Sequence, residues 1–155
     1  MKKFLLVLLP LLLFAGGEKR CSKCALNKSE IRCNYYVAKK GDVSKISYCK
    51  EYADYLNSSK VYGKASWYYL LSKEPDLALK AAEKAVKMGE SYAYEYMGEV
   101  YLIKGDDKKA KEFFKKFKNR VKSIDSFTEN NFKILEKLYE NFKYDTAKSV
   151  ISNLR

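Results

Sequence analysis

Between Ser91 and Phe117 small and bulky residues alternate at spacings that suit two helices packed closely as a hairpin. The run is Tyr94-x2-Met97-Gly98-x2-Tyr101-x3-Gly105-x4-Ala110-x3-Phe114-x2-Phe117. Gly98 and Ala110 are small where the helices must approach, and Tyr94, Met97, Tyr101 and Phe114 supply the volume around them. Gly105 permits the turn between. A step of 32 residues back lays Tyr62, Ala65-Ser66 and Tyr69 on one helix and Ala78, Ala82 and Ala85 on the next. Lys73 replaces the turn glycine there, and Glu74-Pro75-Asp76 supplies the break, with Pro75 suited to the first position of a helix. A second step of 32 reaches Cys33-Asn34, Val37, Gly41, Ile46 and Ala53, an eroded copy that keeps the Gly41-Asp42 turn. At the carboxyl end Ile134-Leu135, Leu138, Ala147, Ile151 and Leu154 repeat the apolar spacing, shifted by 37 residues and without either glycine.

This pattern resembles the tetratricopeptide repeat, which pairs a large residue, a Leu-Gly-like pair and a Tyr on one helix with Ala and an aromatic on the next. The resemblance implies an all-α fold, a right-handed superhelical stack of about four helical hairpins (an α-solenoid). The hairpins are expected at 29–56, 59–89, 91–122 and 127–154, the last capping the stack. Each is apolar on both sides and must be buried against its neighbours.

The resemblance also implies that the first helix of each hairpin lines a concave groove for an extended or helical peptide. The positions left free by the packing pattern are Ile31 and Tyr35, then Trp67 and Leu70, then Tyr92, Glu95, Glu99 and Leu102, then Phe132, Glu136, Tyr139 and Glu140. They are aromatic and acidic, which suits a basic or apolar segment of another envelope protein, with Trp67, Tyr92 and Tyr139 as rigid anchors. The second helices carry Lys80, Lys84 and Lys87, then Lys108, Lys109, Lys111, Lys115, Lys116 and Lys118. That basic back is a candidate surface for anionic lipid or cell-wall polymer, the competing reading being a solvated lysine face.

Ahead of the repeats, Met1-Lys2-Lys3, an apolar run from Phe4 to Phe14, and the small residues Ala15-Gly16-Gly17 follow the order of a secretory signal. Residues 1–17 are expected to be a cleaved signal peptide and 18–28 a cysteine-containing segment, with the repeat domain at 29–155. An uncleaved anchor is the alternative, but a spanning helix needs about 20 apolar residues. Glu18-Lys19-Arg20 before Cys21 argues against lipidation. The chain is therefore expected in the periplasm of a bacterium or otherwise outside its cytoplasm. A formal net charge of +12 makes nucleic acid the usual partner to consider, but export argues against it and leaves anionic lipid headgroups, cell-wall polymers or acidic proteins.

Four cysteines, Cys21, Cys24, Cys33 and Cys49, lie near the amino end of an exported chain, which reads as two disulfides stapling the weakest copy. Cys33 falls on the inner face of the first helix, and Cys49 lies on the apolar line Ile46, Cys49, Ala53 and Leu56 of the second. Cys33 with Cys49 is the leading pair, leaving Cys21 with Cys24; the crossed pairings stay open. The alternative function is a cysteine-based redox or metal-binding envelope protein on a helical repeat. No base histidine, nucleophile turn, phosphate loop or carboxylate cluster is present, so neither an enzyme nor a cofactor is expected. The expectation is an exported scaffold for protein–protein interaction.

Overall fold

A computed structural model describes residues 22–119 and 126–154, with side chains from 26 in the first stretch and from 128 in the second. The expected signal at 1–17 lies outside the described residues, as do Cys21 and the side chain of Cys24.

The described chain is helical throughout and holds no strand. Helix α1 (Ser22–Arg32) runs into a π-helical stretch (Cys33–Lys39). A 3-10 turn (Val43–Lys45) leads into α2 (Ile46–Ser58), followed by α3 (Tyr62–Leu71), α4 (Pro75–Lys87), α5 (Ala93–Ile103), α6 (Asp107–Lys118), α7 (Ser126–Leu138) and α8 (Tyr144–Ser152). Helix α1 starts at Ser22, ahead of the expected boundary at 29, because the segment from Ser22 to Arg32 contains neither Gly nor Pro to break it. No described helix is long and apolar enough to cross a membrane.

Neighbouring helices pack in chain order from α1 to α6, and α7 packs on α8. The turns explain why. Gly41, Lys73 and Gly105, each 32 residues from the next, all have left-handed backbone, with φ of 71°, 61° and 74°. Glycine adopts this conformation without a Cβ penalty, whereas Lys73 adopts it at a cost of about 1 kcal/mol. The turn geometry persists where the glycine is lost, and Pro75 starts α4 immediately afterwards. In the next turn Asp106 caps α6, its carboxylate accepting the Lys109 N–H at 3.0 Å.

Small residues sit at the helix crossings. A Cβ on Gly98 would lie 2.8 Å from the Phe114 ring, and that ring is fully buried. One hairpin earlier the buried Ser66 hydroxyl donates to the Ala78 carbonyl at 2.8 Å, tying α3 to α4. Cys33 and Cys49 form a disulfide with their Cα atoms 4.8 Å apart. Both are fully buried among Val37, Tyr52, Ala53 and Leu56. A cross-link spanning 16 residues stabilises by about 3 kcal/mol, and it does so where the packing pattern is most eroded.

The last hairpin departs from simple succession. Helix α7 packs against α3 as well as α8, and α8 packs against α6. Hydrogen bonds fix this arrangement: Tyr139 Oη donates to the Leu70 carbonyl at 2.7 Å, Asn141 Nδ2 to the Ile103 carbonyl at 2.6 Å, and Lys118 Nζ to the Leu154 carbonyl at 2.9 Å.

The close approach of α5 and α6 predicts the effect of one methyl group. Gly98→Ala forces the buried Phe114 ring to move and is expected to lower stability by about 1–3 kcal/mol, measured by urea denaturation. An unchanged midpoint contradicts the crossing.

Candidate functional site

Two central helices are buried on nearly every side. In α5 all residues from Ala93 to Ile103 are buried except Tyr94 and Tyr101, which are half-buried. In α3 the run from Tyr68 to Leu71 is fully covered. A helix apolar all round needs cover on both flanks. Helix α3 packs against α2, α4 and α7, and α5 packs between α4 and α6, while Asn131 of α7 reaches Glu95 of α5.

The buried stripe of α7 is Thr128, Asn131, Phe132, Leu135 and Leu138, continued by Tyr139 directly after the helix. Phe132 meets Phe114 edge to face at 5.8 Å and lies 5.7 Å from Phe142. Two members of the stripe are polar. Asn131 Nδ2 donates to Glu95 Oε1 at 3.1 Å, whereas Thr128 Oγ1 has no hydrogen-bond partner.

Beneath them Glu95 and Glu99 stand four residues apart, one above the other on the same face of α5. Glu99 is wholly buried, and neither of its carboxylate oxygens has a hydrogen-bond partner. Burial, reinforced by the Glu95 charge, raises its pKa well above the ordinary carboxylate value, opposed only weakly by Asn131. Burial and the same two carboxylates also push the Tyr96 phenol upward. The pair is an acidic spot sealed under a helix. It comprises two carboxylates, and among the described residues no three His, Cys, Asp or Glu side chains gather as metal ligands.

The expected groove positions divide into two sets. Leu70, Glu95, Glu99, Leu102, Phe132 and Tyr139 are buried. An open groove along the whole row is therefore corrected for these residues, because α7 folds inward onto α3 and α5. Tyr35, Tyr92 and Ile31 are exposed, and Trp67 is half-buried. Trp67, Tyr96 and Tyr92 make a continuous aromatic row, with Trp67 stacked on Tyr96 at 6.1 Å and Tyr92 edge-on to Tyr96 at 6.1 Å. Tyr35 stands apart on the π-helical stretch, near Lys39 and Lys40. Glu136 is exposed and accepts the Tyr144 N–H that begins α8, and Glu140 is exposed.

Asn131 and Thr128 were absent from the expected site. Their signal was readable as two polar residues on an otherwise apolar stripe.

The lysines of α4 and α6 are exposed. Lys84 lies over Tyr62, Lys109 over Tyr101, and Lys116 over Tyr94 and Phe113, at 4.8–5.9 Å from the ring centroids. Two carboxylates, Glu95 and Glu99, are thus buried, while the lysines of α4 and α6 stand outside together with the exposed Glu83, Asp107 and Glu112.

The buried acid sets the pH dependence. A carboxyl with a raised folded pKa gives its full stabilisation below its unfolded value, and that is lost as pH rises through the folded value. Glu99→Gln keeps the group neutral at every pH. It is expected to raise stability at pH 7, because the unfolded chain no longer gains by ionising this carboxyl, and to leave stability at pH 4 nearly unchanged. Thermal unfolding at both pH values measures this, and a lower melting temperature at pH 7 contradicts it.

Comparison with protein-family models, curated proteins and solved structures finds no match, which leaves this geometry as the basis of a functional reading.

Proposed function

We propose that the chain is a tetratricopeptide-like stack, a right-handed α-solenoid of four hairpins, acting outside the cytoplasm as a scaffold that holds an amphipathic helix of another envelope protein. The observation that carries this reading is that the α3–α5 face already accommodates such a helix, its own α7. Asn131 reaches Glu95 of α5, and Tyr139, directly after α7, donates to the Leu70 carbonyl of α3. A face that packs one amphipathic helix by an apolar stripe and a few directed hydrogen bonds has the means to select another.

Further support comes from the repeat itself. The three left-handed turns at intervals of 32 residues and the Gly98–Phe114 crossing are the features expected of stacked hairpins. The disulfide fits an oxidising compartment. The exposed row of Trp67 and Tyr92, with Tyr96 behind it, borders the covered face and offers a first foothold to an incoming segment. In this reading α7 is an internal competitor, and a partner binds as α7 yields.

A labelled peptide of residues 126–142 tests the scaffold by fluorescence anisotropy against the whole chain. Tyr139→Phe removes the bond to the Leu70 carbonyl, and Asn131→Ala removes the bond to Glu95; each weakens the internal helix, while the added peptide keeps both groups. The double variant, shown by circular dichroism to stay helical, is expected to bind the peptide about fivefold or more tighter than the wild type does, because less of the face is self-occupied. Absence of saturable binding to the variant overturns the reading.

A further inference from the structure

The inward fold of α7 brings the last hairpin against the first and leaves a cleft of about 390 Å³ between them. One wall is the π-helical stretch, through Asn34, Ala38 and Lys39; the other is α7, through Asn130, Lys133 and Lys137. Ala38 and Ile134 give it an apolar floor. No acidic residue lines it.

The π-helical register builds the first wall. With i to i+5 hydrogen bonding, a turn takes about 4.4 residues, so positions i, i+4 and i+5 share a face. Residues 34, 38 and 39 are such a set. In an α-helix Lys39 would stand roughly 140° away from Asn34 around the axis, and it would point out of the cleft. The Cys33–Cys49 bond anchors the start of this stretch in the core, and Gly41 at its end packs beside Lys137, where a Cβ would lie 3.5 Å from the Lys137 Cβ.

Three lysines therefore line the cleft, and none of its lining residues is acidic. The acids of α7 that are nearest in sequence are engaged on the side of α8: Glu129 lies 3.9 Å from Lys148 and 3.4 Å from Tyr144 Oη, and Glu136 accepts the Tyr144 N–H. Lys39 Nζ lies over the Tyr35 ring at 5.9 Å, and Lys133 Nζ lies over the Tyr144 ring at 5.8 Å, on the side of Glu129. Like charges gathered in a concave site raise the local concentration of counter-ions. Asn34 and Asn130 add amide donors, and the volume lies in the range of small-molecule sites.

We infer that this cleft is a binding site for a small multivalent oxyanion, a molecule with two or more phosphoryl or carboxylate groups, held by Lys39, Lys133 and Lys137. The bound anion bridges the π-helical stretch and α7 and locks the two ends of the fold together. The site is separate from the α3–α5 face and stands without the scaffold reading.

Isothermal titration of the whole chain with pyrophosphate and with citrate, at constant ionic strength, tests it. The wild type is expected to bind at least one of the two saturably with 1:1 stoichiometry. Lys133→Gln combined with Lys137→Gln is expected to weaken that binding at least tenfold, and Lys111→Gln combined with Lys115→Gln, on the outer face of α6, is expected to leave it unchanged. Vesicles of phosphatidylglycerol and of phosphatidylcholine identify the source of the anion. Retention on the former that is lost in the cleft variant points to a lipid headgroup, and no retention beside a positive titration points to a free ion. Lack of saturable binding to both probes, or equal weakening in the two lysine variants, overturns the inference.

Discussion

The structure depends on covering α3 and α5 from two sides. Their sequences are apolar nearly all round, and burying a single flank would leave apolar side chains of the other in water. Fully burying one such side chain contributes about 1.5–3 kcal/mol. Helix α7 completes the burial with Phe132, Leu135 and Tyr139. The sealed carboxylates oppose it, since Glu99 loses its water without gaining a hydrogen bond. Cover is thus favoured by apolar area and weakened at one polar spot, a balance suited to a helix that stays in place and can still be displaced.

The parts of this arrangement that were legible in the sequence are those with short-range causes. Gly98 opposite Phe114, Pro75 at the start of α4 and the turn at Gly105 are local rules of size and backbone freedom, and they located the helices. The Cys33–Cys49 pair was readable from the faces on which the two residues fall. The position of α7 was not readable in this way. Its apolar stripe states that one face is buried and does not state against what, so Leu70, Glu95 and Glu99 read equally well as an open groove. Asn131 and Thr128 were the available clue, because polar residues on a buried stripe need partners, and only Glu95 answers for Asn131. The π-helical stretch had no sequence signal either. Cys33 and Val37 bury along it, but residues four apart share a face in an α-helix as well, so their spacing carries no mark of the π register.

On the proposed reading the two faces of α7 have opposing roles. Its inner stripe occupies the face that a partner helix would use, while Lys133 and Lys137 on its outer edge form half of the anion cleft. Displacing α7 dismantles the cleft, and filling the cleft holds α7 down. Two ligands that favour different states of one element are coupled reciprocally. The scaffold and the cleft are thereby parts of one equilibrium, although each rests on its own residues.

Amide hydrogen exchange of the intact, oxidised chain addresses the seating of α7 directly. The account predicts that the amides of Phe132, Leu135 and Leu138 exchange within about tenfold as slowly as those of Val100 and Leu102 in α5, since both are buried in one packed unit. Exchange across α7 at the rate of an exposed, fraying helix, with α5 still protected, would contradict it.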